Sequence, residues 1–408
     1  MSTKRRILFV DDETRVLDGL RRSLRPLRDE WDMTFVEGGE AALAALATGP
    51  YDMIVSDMRM PGMDGARLLE TVKERYPWMA RIALSGQTSK QKILQTVGPI
   101  HQYLAKPCDA ATLKTTLTRV CALLPLVHDE RLRGLVSQLE SLPCLAALHR
   151  DLVKELQDED ASVQKVARII AQDVGMGAKV LQLVNSSFFG VRQRVTSIPQ
   201  AVALLGLETI RGLVLLIRVF GCFLPPSLEG FSAAALSRHS LAVGQAAHRL
   251  LEAEGMDDRQ GAYAMIAGMV HDVGKLVLAA TMPDQYAEAL RLVRQEGAGL
   301  LEAEQEVLNA THAEVGGYLL GLWGFVDTII ETVLHHHAPA RAGQTGLGVL
   351  LAVHVADGFV RQLAHSSDNM PGGASGPDEA YLAQVGLADR LEKWRALCLP
   401  TVMAARSC

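Results

Sequence analysis

The apolar pattern of this chain changes character once, near Leu124, and that change limits the folds open to it. Before it, short β-rich runs alternate with helical stretches. The runs cover residues 6–10, 33–36, 53–56, 81–84 and 103–105, with helical patterns such as 16–24 and 40–46 between them. Five strands separated by helices predict an α/β, doubly wound, five-stranded parallel sheet covered on both faces. In such a sheet the ligand crevice lies outside the carboxyl ends of the strands. Past Leu124 the strand signal disappears. Long helical patterns follow, punctuated by Pro143, Gly175, Gly190, Pro199, Pro225-Pro226 and Pro283. They predict an all-α domain over residues 135–365. Residues 4–124 then form the first domain and 125–134 an exposed helical linker. Residues 366–408 read as a Gly/Pro-rich loop and a helical extension packing back on the core.

A length of 408 residues suits two or three domains, and 49% hydrophobic with 21% charged residues excludes wholesale disorder. Charge is uneven. Residues 1–124 carry a net +3 and the remainder −8, within a total of −5. An acidic helical half without a basic recognition helix argues against direct nucleic-acid binding. The six cysteines form no Cys-x-x-Cys pair, which fits a reduced, cytoplasmic setting. The apolar stretch after Lys4-Arg5-Arg6 ends at Asp11, too short for a signal peptide. The greasiest later run, 212–224, contains Arg218 and stops at Pro225-Pro226, so no membrane span is expected.

Four motifs fall where the first, third, fourth and fifth strands end. They are Asp11-Asp12, Asp57 in Val55-Ser56-Asp57-Met58-Arg59-Met60-Pro61-Gly62, Ser85-Gly86 and Lys106-Pro107. A parallel sheet brings all four to one rim. Crowded carboxylates repel and call for a hard cation such as Mg²⁺. A lysine and a hydroxyl beside them suit the oxygens of a phosphoryl group. Asp57 is the natural nucleophile, Asp11 and Asp12 are candidate metal ligands, and the Arg59 carbonyl is another. The plainer alternative is that these acids only cap helices.

In this order the residues resemble the response-regulator receiver domain, which has a flavodoxin-like fold. The resemblance covers residues 4–124. It implies that Asp57 is the phosphoacceptor for a sensor histidine kinase, with Ser85 the switch hydroxyl, Lys106 the phosphate-contacting lysine and Tyr103 the switch aromatic. It also implies a cis peptide before Pro107.

The helical part concentrates histidine: eight of the chain's twelve lie between His239 and His354. His239, His271-Asp272-Val273-Gly274-Lys275, His312, His335-His336-His337 and Asp357 can converge in a bundle core, where facing helices build metal sites. Imidazole with carboxylate suits Fe, Mn or Zn. Three successive histidines cannot share one helix face, so at most two of His335–His337 point inward. Plainer roles compete throughout: His271 and Asp272 as a hydrogen-bonded core pair, His312 as helix-terminal packing, and Lys275 as a surface lysine.

The set resembles the HD superfamily of metal-dependent phosphohydrolases. That likeness implies metal ligation by His239, His271, Asp272 and Asp357, with His312, His336 and His337 holding further metal and Lys275 touching phosphate. The chain departs from the cyclic-di-GMP-hydrolysing branch: no Gly-Tyr-Pro follows the histidine run, and Ala235 stands where a glutamate is usual. Leu142-Pro143, Asn185-Ser186, Ile198-Pro199-Gln200 and Trp323-Gly324-Phe325 instead resemble the HDOD domain, across roughly 135–365. The joint resemblance implies a two-component response regulator whose output is a changed protein–protein interaction. Its partners would be a kinase, an unidentified downstream protein and a second copy in a homodimer. The rival expectation is a phosphorylation-gated HD-type phosphohydrolase acting on a nucleotide or cyclic dinucleotide.

Overall fold

A computed structural model describes residues 4–85, 99–140, 142–158, 161–185, 194–211, 228–364 and 376–406. The chain divides into two compact units. One comprises residues 1–140 with 182–194 and 321–324, the other 141–181, 195–320 and 325–408.

In the first unit, β1 (Arg5–Asp11), β2 (Trp31–Glu37), β3 (Met53–Asp57), β4 (Ala80–Ser85) and β5 (Gln102–Ala105) form one sheet in the order β2-β1-β3-β4-β5. Every pairing is parallel. Each strand runs one or two residues beyond its apolar run at one end or both. The central strands β3 and β4 are buried along their whole length, whereas edge strand β2 is only partly so. That is why β3 and β4 read as near-continuous apolar runs. Helices α1 (Thr14–Leu24), α2 (Gly39–Ala47), α3 (Gly65–Arg75) and α4 (Ala110–Leu123) fall between or after the strands. Asp64 and Asp109 cap α3 and α4 by accepting from Arg67 N and Thr112 N.

The expected linker is helical, but it is not an exposed rod. Helix α5 (Glu130–Ser137) is capped by Asp129 and buries Leu132, Gly134, Val136 and Ser137. Arg81, fully buried at the start of β4, donates from Nη2 to Ser137 O at 2.5 Å. His101 Nε2 lies 2.7 Å from the same carbonyl.

The second unit is helical. Its elements are α6 (Ala146–Gln157), α7 (Val163–Ala171), α8 (Val174–Asn185), α9 (Ile198–Leu205), α10 (Leu207–Arg211), α11 (Ala233–Ala253), α12 (Asp258–Val270), α13 (Val273–Thr281), α14 (Pro283–Arg291), α15 (Leu300–Leu308), α16 (His312–Leu322), α17 (Asp327–His335), α18 (Val349–Ala364), α19 (Glu379–Gln384) and α20 (Leu391–Arg406). The end of α8 and of α16 clusters with the first unit. Among the described residues one stretch, Asp258–Thr281, is long and apolar enough to cross a membrane, and 83% of its most apolar 18-residue window is buried inside the protein. In the carboxyl-terminal extension α20 buries Trp394 and Cys398, and Trp394 Nε1 donates to Glu254, the residue just past the end of α11. The apolar run 212–224 and the Ser186–Gly190 part of the HDOD-like motif lie outside the described residues.

Candidate functional site

The strand-end residues of the first unit meet at one rim. Lys106 Nζ donates to Asp11 Oδ2 at 2.6 Å and lies 2.7 Å from Asp57 Oδ1, so one ammonium spans both carboxylates. Asp57 Oδ2 accepts from Arg59 N at 3.0 Å, and Asp11 Oδ1 from Glu13 N at 3.0 Å. Burial would lower the Lys106 pKa, but the bonds to Asp11 and Asp57 outweigh it and hold it above its ordinary value. Ser85 ends β4, is buried, and its carbonyl accepts from Lys106 N at 2.8 Å. The Lys106–Pro107 peptide is cis, as the resemblance implied. Tyr103 is buried on β5 beside Ala83.

Asp12 is exposed at the same end of β1. The residue at the N-cap of α1 is Glu13, without a side-chain capping bond, so helix capping does not account for Asp11 or Asp12. Gly65 permits the approach of α3 to β3: a Cβ there would lie 2.0 Å from Asp57 O. Two buried carboxylates beside an exposed third form a hard-oxygen donor set, and Mg²⁺ fits that chemistry.

In the second unit the expected histidines and aspartates also converge. Asp272, His312, His336 and His337 offer donor atoms within 4.8 Å of one another, and so do His239, His271 and Asp357. They come from five places: α11, the junction of α12 with α13, the start of α16, the end of α17, and α18. Gly274 lets two of these meet. A Cβ there would sit 1.9 Å from His312 O, so only glycine allows α13 to pass so close to α16. His336 and His337 point into the group, and His335 does not belong to it.

Three imidazoles are held with one nitrogen outward. His271 Nδ1 bonds Gly268 O at 2.7 Å, His336 Nδ1 bonds Val333 O at 2.8 Å, and His312 Nδ1 bonds Glu304 Oε2 at 2.7 Å. A carbonyl or carboxylate can only accept, so each Nδ1 carries hydrogen. In the neutral ring Nε2 then presents a lone pair to the cluster. Such outward bonds are how proteins orient metal-binding imidazoles. His271 Nε2, His336 Nε2 and Asp272 Oδ1 are buried without a hydrogen-bond partner. Orphaned donor atoms of this kind are costly unless something occupies the space between them, and the set fits a transition-metal ion.

The electrostatics are strong because the groups are dry. Burial would lower His271, but the negative charge of Asp272, then that of Asp357, pushes it up to about 9. Burial pushes His336 down to about 4. Burial would raise Asp272, but His271 and Lys275 hold it well below the usual carboxylate range.

Lys275 is fully buried rather than on the helix surface, with Nζ 2.6 Å from Asp272 Oδ2. Two residues absent from the sequence expectations complete the cluster. Glu304 is fully buried on α15 and accepts from His312 N at 2.8 Å as well as bonding its ring. Arg361 Nε donates to Asp357 Oδ1 at 2.7 Å. His354, one turn before Asp357, serves packing instead: its Nδ1 bonds His336 O at 2.7 Å and its Nε2 accepts from Asp378 N at 2.8 Å.

The chain's relatives divide as its sites do. Residues 7–118 match the response regulator receiver domain, and residues 142–339 the HDOD domain. The hydrogenase transcriptional regulatory protein HoxA of Cupriavidus necator is 41% identical over 103 residues, 25% of this chain and 21% of that protein. An uncharacterised protein of Treponema pallidum is 24% identical over 230 residues, 56% of this chain and 44% of its own length. The chain thus spans less than half the length of these curated relatives. Among solved structures, the MmoQ response regulator of Methylococcus capsulatus is 26% identical, covering 64% of this chain and 98% of that one, with a TM-score of 0.47. The chain joins a response-regulator receiver domain to an HDOD domain, and so is a two-component response regulator of the receiver–HDOD type.

Proposed function

We propose that Asp57 is phosphorylated by a sensor histidine kinase and that this modification controls what the HDOD domain binds. The observation that carries the reading is Lys106 Nζ, bonded to both Asp11 and Asp57 at the strand-end rim. An Asp57 oxygen attacks phosphorus, the phosphorus–nitrogen bond of the phosphohistidine breaks, and the imidazole leaves with a proton. The Lys106 ammonium, bonded to Asp11 and Asp57, would hold a phosphoryl oxygen. The Arg59 N–H orients the nucleophile through its other oxygen. Mg²⁺ held by Asp11, Asp12, Asp57 and the Arg59 carbonyl would neutralise the converging negative charges. Ser85 and Tyr103, on β4 and β5, are the residues that would respond, and coupling of about 1–3 kcal/mol is typical of such switches. The test is acetyl phosphate or BeF₃⁻ with Mg²⁺ on the full chain. With acetyl phosphate wild type should gain an acid-labile phosphate, and with either reagent a changed hydrogen-exchange pattern; Asp57→Ala should show neither. Indistinguishable proteins would sink the proposal.

A second reading is favoured by one observation, the unpartnered His271 Nε2, His336 Nε2 and Asp272 Oδ1. On this reading the HDOD domain holds a transition metal and retains phosphohydrolase chemistry on a nucleotide or cyclic dinucleotide. Bound metal would supply a Lewis acid and an activated water. Lys275, buried on Asp272, sets the charge of that carboxylate. Elemental analysis after Mn²⁺ or Fe²⁺ loading decides it, since a metal-free result excludes the enzyme.

A further inference from the structure

The two donor groups of the helical domain differ in what already neutralises them. Asp357 is the sole carboxylate of the group it shares with His239 and His271. Its Oδ1 lies 2.8 Å from His239 Nε2 and 2.7 Å from Arg361 Nε. Arg361 sits one helical turn along α18, so helix geometry alone keeps the guanidinium at that oxygen. A guanidinium cannot shed its proton. The His239 nitrogen nearest the carboxylate must bring hydrogen to it, and a nitrogen bearing hydrogen has no lone pair for a metal. The carboxylate of this group therefore already has a fixed cation on it, with His271 Nε2 a further 3.6 Å from the same oxygen.

In the other group the cations lie on one carboxylate oxygen and leave the second to imidazoles. Lys275 Nζ takes Asp272 Oδ2 at 2.6 Å, and Arg361 Nη2 is 3.6 Å from that same oxygen. Oδ1 is left facing His312 Nε2 at 3.2 Å and His336 Nε2 at 3.5 Å. His312 Nε2 also lies 2.9 Å from His337 Nε2. Two nitrogens that close need either a proton or a cation between them. Glu304 adds a second buried carboxylate behind His312. Three imidazoles and one carboxylate make a four-donor set of transition-metal type.

We infer that the helical domain takes a single divalent transition-metal ion at Asp272, His312, His336 and His337, and that Arg361 is a fixed cation standing where a second ion would otherwise bind at His239, His271 and Asp357. The inference deepens the metal reading above and rests on it. It assigns Arg361 a role in stoichiometry, as a positioning residue that closes one half of the cluster.

The test is chelator-treated full-length protein loaded with Co²⁺, desalted, and assayed for metal per chain and for the visible absorption of tetrahedral Co²⁺. One ion per chain is expected for wild type and for His239→Gln, with at least a tenfold loss of affinity in His336→Gln. Arg361→Gln should move toward two ions. Two ions in wild type, or loss of the ion in His239→Gln, would overturn the assignment while leaving the metal reading standing. No ion in any protein would overturn both. Arg361→Gln remaining folded, by far-UV circular dichroism, with one ion would remove the arginine's role. Should that variant fail to fold, the His239→Gln and His336→Gln pair still decides where the ion sits.

Discussion

The receiver rim and the histidine cluster both gather acids around a lysine, yet they are built differently. At the rim, Asp11, Asp57, Ser85 and Lys106 end or follow strands of one sheet, and backbone pairing places them. Lys106 remains partly exposed, so the rim is open to solvent. In the cluster every position is set by side-chain packing between helices, and Lys275, Asp272, His271 and Glu304 have no solvent exposure. The cluster can hold an ion tightly, but it depends on buried groups that stay satisfied only together.

The sharpest way to break that contrast is to remove Glu304. Glu304→Ala strips the acceptor from His312 N and Nδ1 inside the protein, and should destabilise the helical domain by about 3–5 kcal/mol in urea unfolding. A cost near zero would mean the cluster is not held together by its outer carboxylate. The matching change at the rim is Lys106→Ala. It should leave the fold intact but slow acetyl-phosphate labelling of Asp57 on the order of 10²-fold. Unchanged labelling would remove the lysine from the chemistry.

Acid–base behaviour separates the regions further. His271 has its folded pKa raised to about 9, above the usual histidine value. Its stabilising contribution is therefore fully present below about pH 6.5 and lost as pH rises through about 9, at most about 3 kcal/mol. Asp272 and Asp357 are depressed, so their contribution is lost as pH falls below the ordinary carboxylate range. Chelator-treated protein should show a urea midpoint for the helical domain that falls between pH 6.5 and 9.5, and His271→Gln should flatten it. At the small end, the Arg21–Asp18 pair on α1 is half exposed, and Asp18→Ala should cost less than about 0.5 kcal/mol. A larger loss would show that exposed charges on the receiver matter more than buried-site reasoning allows.

Much of the rim was legible before any coordinates. Strand–helix alternation gives a parallel sheet, and a residue at a strand's carboxyl end then has only one place to be. The cluster was legible as a list of donors but not as an arrangement. Glu304 does carry a local signal: Leu300, Ala303, Val307 and Leu308 form an apolar stripe, and Glu304 falls on it. Arg361 follows Asp357 by four residues, a spacing that pairs charges on any helix. Lys275 reads as a surface residue because nothing local to α13 says that its lysine is covered. The buried face of α5 was hidden for a similar reason, since its anchor, Arg81, belongs to a strand 56 residues away.

The sequence by itself determined the two architectures, the sheet's direction and the residues at its rim, because periodicity and strand ends are local properties. It also determined that at most two of three consecutive histidines could face inward. Only the tertiary structure decided which nitrogen of each imidazole turns to the cluster, which carboxylate already has a cation, and that His239 meets Asp357 across 118 residues. Those outcomes depend on how helices pack at close approach, as at Gly274 against His312, and packing is a property of the whole core rather than of any segment.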